Sequence, residues 1–237
     1  MSSDVWCSEP PEQSTLMRLP SWDWVVAYSG SAVELSGFII GVVRWRRIAR
    51  GQQLITLWFS AAVLSDIAVI VTAQLHQSTQ SIARIWFASS VIFALGSLAV
   101  YQSGDRRAAV VRVSIGVYLA VSVILLMTIE PLGAISTYAA PLHALVILAA
   151  AVLTLLRRAS LGRGELLVDP GFLIAAGLTG YAVAAVFETL VTQLWVHDFP
   201  QYVKAYYATC DVLTALSEFV IIKALFASPY SASRRAG

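Results

Sequence analysis

Seven apolar stretches, each close to the length of a bilayer crossing, take up most of this chain and leave little else from which a fold could be built. They run over 22–45, 53–76, 81–101, 108–130, 135–156, 170–196 and 201–227, and about 20 apolar residues in a helix cross the hydrocarbon core. Backbone N–H and C=O groups find no water there, so such segments must be helical. With 58% hydrophobic and only 13% charged residues, the remaining polar residues are too few to cover that much apolar surface. The expected fold is all-α, a polytopic membrane bundle of seven transmembrane helices filling 22–230, with an extracytoplasmic polar tail at 1–21 and a cytoplasmic tail at 231–237. Short links make consecutive helices antiparallel neighbours. The first 21 residues are rich in Ser, Pro and Glu with no basic run ahead of the first span, which argues against a cleaved signal peptide.

Basic residues set the orientation. Of the 16 Lys and Arg, 13 fall by the first, third and fifth links or the C-terminal end, among them Arg44, Arg46, Arg47, Arg106, Arg107, Arg157, Arg158, Lys223 and Arg234. The opposite side carries only Arg18, Arg84 and Lys204. Cytoplasmic loops are the ones enriched in Lys and Arg, so the N-terminus is expected outside and the C-terminus in the cytoplasm.

Chemistry in such a chain concentrates on its intramembrane charges, which are costly and face the bundle or water. Glu34 and Asp66 fall near the middle of the first and second spans, Glu188 in the outer half of the sixth, and Asp211 and Glu218 on either side of the middle of the seventh. His143 follows Pro141 in the outer half of the fifth. Lys204, Asp211 and Glu218 recur every seven residues with Tyr207 and Thr214 between them, so they share one helical face. Together Glu34, Asp66, His143, Glu188, Asp211 and Glu218 are the candidate ion or proton path. A single such acid is as easily a neutral carboxyl bonded to a hydroxyl; Ser31 is spaced to serve Glu34, and Ser65 adjoins Asp66.

Several chemistries lack their residues. The sequence holds no His-Glu-x-x-His helix, no Gly-x-Ser-x-Gly elbow and no Gly-rich phosphate loop, the local signatures of zinc, serine-nucleophile and nucleotide sites. His76, His143 and His197 sit on different spans or ends, so no metal site is expected. The two cysteines, Cys7 and Cys210, make no disulfide framework. The chain is not expected to be an enzyme.

One lysine stands out. Lys223 lies in the run Phe219-Val220-Ile221-Ile222-Lys223-Ala224-Leu225-Phe226, in a chain that otherwise uses arginine everywhere but Lys204. Seven spans, an external N-terminus, this chain length, a lysine followed by Ala224-Leu225-Phe226 in the last span, and Arg84 followed by Trp86, Ser89 and Ser90 in the third resemble a microbial (type 1) rhodopsin. The resemblance implies a retinal Schiff base on Lys223, with Trp86, Phe187 and Trp195 as candidate pocket residues. The position four before the lysine, acidic in that family, is Phe219 here, so Glu218, Asp211 or Asp66 would be the counterion. A lysine near the inner boundary also serves simply by snorkelling to the headgroups.

Three readings follow. The chain is a retinal-binding photoreceptor or light-driven ion mover built on Lys223. Alternatively it is a retinal-free transporter or channel for protons or cations using its carboxylates, or a sensory or accessory subunit of a membrane partner. All place it in a bilayer, expected to be a bacterial or archaeal inner (plasma) membrane, with a homo-oligomer or membrane protein as possible partner and no nucleic acid.

Overall fold

The computed structural model describes residues 21–75, 77–102, 104–130, 137–160, 166–195 and 200–227, with the side chains of 21–29, 105 and 191–205 left aside. The two polar tails and the side chain of Trp195 therefore lie outside the described residues. Among the described residues there are seven α-helices and no strand: α1 Ser21–Arg44, α2 Arg50–Gln74, α3 Gln80–Tyr101, α4 Asp105–Thr128, α5 Ala139–Ser160, α6 Pro170–Trp195 and α7 Pro200–Phe226, with one 3₁₀ turn at Leu166–Val168 before α6. Each helix coincides with one apolar stretch. The largest shift is at α5, which starts at Ala139 rather than 135 and carries Pro141 in its first turn, where a missing N–H costs nothing. Pro170 and Pro200 open α6 and α7 for the same reason. Gly104, before α4, has φ 101°, a conformation open to glycine and rarely to other residues.

Five helices, α2 to α6, are long and apolar enough to cross a membrane. The other two, α1 and α7, bear Glu34, Asp211, Glu218 and Lys223. Apolar side chains cover the outside: Val110, Val113, Val117, Ile124 and Met127 on α4 are all exposed. An outer surface so apolar belongs in hydrocarbon, which is the character of an integral membrane protein.

The helices α1, α2, α3, α5, α6 and α7 close a ring in that order, and α4 packs outside it against α3 and α5. The core is filled by Trp58, Phe59, Leu95, Leu98, Ile147, Ile174, Leu178, Ile221 and Leu225. Two pairs of glycines, on α1 and α6, sit at close helix crossings. A Cβ on Gly37 of α1 would meet the Phe59 ring at 2.7 Å, and one on Gly41 would collide with Thr56 of α2. On α6, a Cβ on Gly177 would lie 2.7 Å from the Ser217 carbonyl and collide with Ile221, and one on Gly180 would collide with Ser217 Oγ. Small residues at helix crossings let backbones approach where lipid supplies no hydrophobic drive. These contacts hold α1 to α2 and α6 to α7, and thereby define the space between α1, α2 and α7.

Polar ties close the ends of the bundle. Fully buried Gln52 of α2 donates to the carbonyls of Ala224 at 2.5 Å and Ala227 at 3.0 Å, joining α2 to the end of α7. Arg158 donates to the Tyr101 carbonyl at 2.6 Å and pairs with Asp169 at 3.4 Å. At the opposite end Arg84 donates to the Glu130 carbonyl at 2.6 Å, and the Glu130 carboxylate accepts the Tyr138 N–H.

Candidate cation site between the first, second and seventh helices

A cavity of about 180 Å³ opens between α1, α2 and α7, lined by Gly30, Ser31, Glu34, Asp66, Asp211, Thr214 and Glu218. Four carboxyl groups and two hydroxyls line it, with no basic side chain among the described lining residues. The helix spacing explains the convergence. Glu34 lies one turn from Ser31 and Gly30 on α1, and Asp211, Thr214 and Glu218 fall at three- and four-residue steps on α7, so each set shares a face. The α1–α2 glycine contacts and the α6–α7 ones fix the rotation that turns both faces inward.

Exposure falls along the cavity. Asp211 is exposed, Glu34 and Asp66 are half-buried, and Glu218 is 0% exposed. Asp66 accepts a short hydrogen bond from the Ser31 hydroxyl. This corrects the pairing expected from local spacing, in which Ser31 serves Glu34. Asp66 lies 35 residues from Ser31 in sequence, across the α1–α2 interface, and that contact takes the hydroxyl. Glu34 interacts electrostatically with Glu218 and Asp66. Its Oε2, and both carboxyl oxygens of Glu218, are buried without a hydrogen-bond partner. A buried carboxyl that bonds nothing is destabilising by several kcal/mol in order of magnitude when ionised.

A second polar cluster lies deeper between α2, α3, α5 and α6. The Ser90 hydroxyl accepts from Trp58 Nε1 at 2.8 Å and lies 3.2 Å from His143 Nε2. Tyr181 packs edge-on to Trp58 with centroids 5.1 Å apart, and Phe87 stacks on His143 at 4.9 Å. His143 is thus a buried, bonded side chain among aromatic rings and does not line the acid cavity.

The remaining candidates are dispersed. Glu188 is exposed on α6, two turns beyond buried Tyr181, and interacts electrostatically with Asp211. Lys223 is exposed in the last turn of α7, between buried Ile222 and Ala224, and does not line the cavity. Trp86 is half-buried against Trp58 at 5.6 Å, whereas Phe187 is 56% exposed. Lys223, Trp86 and Phe187, expected around retinal, do not line the acid cavity, and the side chain of Trp195 lies outside the described residues. Gly30, Ser31 and Thr214 belong to the acid cavity, and of these only Thr214 was marked by the seven-residue stripe. Among the described residues no group of three His, Cys, Asp or Glu side chains is placed to hold a metal ion. No family model, characterised protein or solved structure matches this chain.

Proposed function

We propose that this chain is a retinal-free membrane transporter or channel for protons or other cations, with the cavity between α1, α2 and α7 as its binding station. All seven helices cross the bilayer, with the N-terminus outside and the C-terminus in the cytoplasm of a cell bounded by that membrane, as the arginine distribution favours. The observation that carries the reading is Glu218: fully buried, lining a cavity with Glu34, Asp66 and Asp211, and with neither carboxyl oxygen bonded. Such a group is tolerated when a proton or a cation occupies it, and the graded exposure from Asp211 to Glu218 supplies an entry. Lys223 supports snorkelling better than imine formation, because its exposed position offers no desolvated pocket to hold it neutral.

The test is flux through the full-length protein in liposomes, read by an internal pH dye under an imposed proton gradient and by cation uptake. Flux that Glu218→Gln abolishes is the expected result. Liposomes as tight with the protein as without it would overturn the reading in favour of an accessory subunit.

A further inference from the structure

Resting on that reading, we infer that the cavity is built for a linear organic dication, an alkyl diamine with an ammonium group at each end, rather than for a metal ion. The buried end presents three unbonded acceptor oxygens, Glu34 Oε2 and both oxygens of Glu218. A primary ammonium carries three N–H donors and no acceptor. The other end presents the exposed Asp211, whereas Asp66 lies beside Glu34 and Glu218. Asp211 and Glu218 are seven residues apart on one helix, roughly 10 Å along its axis. A monoatomic cation must draw its oxygens to within about 2.6 Å, so it reaches only one end at a time. An extended chain with two cationic ends reaches both.

The space agrees with this. A cavity of about 180 Å³ is several times the ~30 Å³ share of one water. Gly30 lines it with nothing within 4 Å of where a Cβ would sit, which leaves room for a methylene chain. No basic side chain among the described lining residues competes for the acids, and charge-assisted hydrogen bonds at both ends are the strong kind.

The experiment is calorimetric titration of the full-length protein in nanodiscs with diaminobutane, aminobutane, sodium chloride and potassium chloride, beside the liposome proton flux. Diaminobutane is expected to bind about tenfold or more tighter than aminobutane, the yield of one additional charge-assisted hydrogen-bonded end. Asp211→Asn should bring diaminobutane down to the affinity of aminobutane, while Glu218→Gln should weaken both amines. Gly30→Leu, which fills the chain's path without altering charge, should weaken diaminobutane and provides the reading should Glu218→Gln not fold. Equal binding of the two amines, or tighter binding of sodium or potassium than of either, overturns the inference. Proton flux without amine binding sinks the diamine and leaves the cation reading standing; absence of both sinks both.

Discussion

At the scale of single residues, Glu218 and Lys223 are both charged positions on α7, five residues apart, with opposite environments. Glu218 is fully buried and unbonded, an arrangement that costs stability. Glu218→Gln retains the shape and removes the burden of a buried carboxyl. It should leave the thermal midpoint in detergent unchanged or raised while reducing flux by an order of magnitude or more. A lower midpoint with normal flux would make Glu218 a structural acid. Lys223 faces outward, so Lys223→Arg, which keeps the charge at the boundary, should be silent in folding and flux. Protein made with retinal should show no visible absorbance. A pigment that disappears in Lys223→Arg would restore the Schiff-base reading.

At the scale of elements, the acid cavity depends on two helix pairs whose separation is set by glycine. Adding side-chain volume at Gly177 of α6 forces it against the Ser217 carbonyl and Ile221 of α7, and overpacking of this kind costs about 1–3 kcal/mol. Gly177→Val should therefore lower the unfolding midpoint, and it should reduce flux as well, since α7 carries half of the cavity's acids. Gly116 on α4 meets nothing within 4 Å, so Gly116→Ala should be neutral or stabilising by up to ~1 kcal/mol, the ordinary helix preference for alanine. Equal effects of the two substitutions, measured by thermal unfolding in detergent, would show that the α6–α7 approach is not what holds the helices in register.

At the scale of the whole molecule, the ring of six helices with α4 outside it carries apolar residues on both its inner and outer surfaces. Orientation in the membrane then rests on the ends. Ser160 closes α5 beside Arg157 and Arg158 and is exposed. In a background lacking Cys7 and Cys210, Ser160→Cys should react with a membrane-permeant thiol reagent and resist an impermeant one applied to intact cells. Labelling by the impermeant reagent would invert the topology and with it the direction in which the cavity opens.

Much of this architecture is decided locally and so was legible in the sequence. Whether a stretch can cross hydrocarbon depends on its own composition, and the seven stretches reappear as seven helices with their prolines at the starts. The acid stripe on α7 was legible because helical period is a local property. What the sequence left open is which way each helix faces. In water, an apolar stripe marks the buried side of a helix; in a membrane, lipid and core are equally apolar, and that marker vanishes. Hence Asp66 and Glu188 read alike, yet Asp66 joins the cavity and Glu188 is exposed. Hence too Ser31 serves Asp66 across a helix interface rather than its neighbour Glu34, and Lys223 turns outward while Glu218 turns in. Those rotations are set by glycine contacts between α1 and α2 and between α6 and α7, between residues far apart in the chain, and only the tertiary structure could decide them.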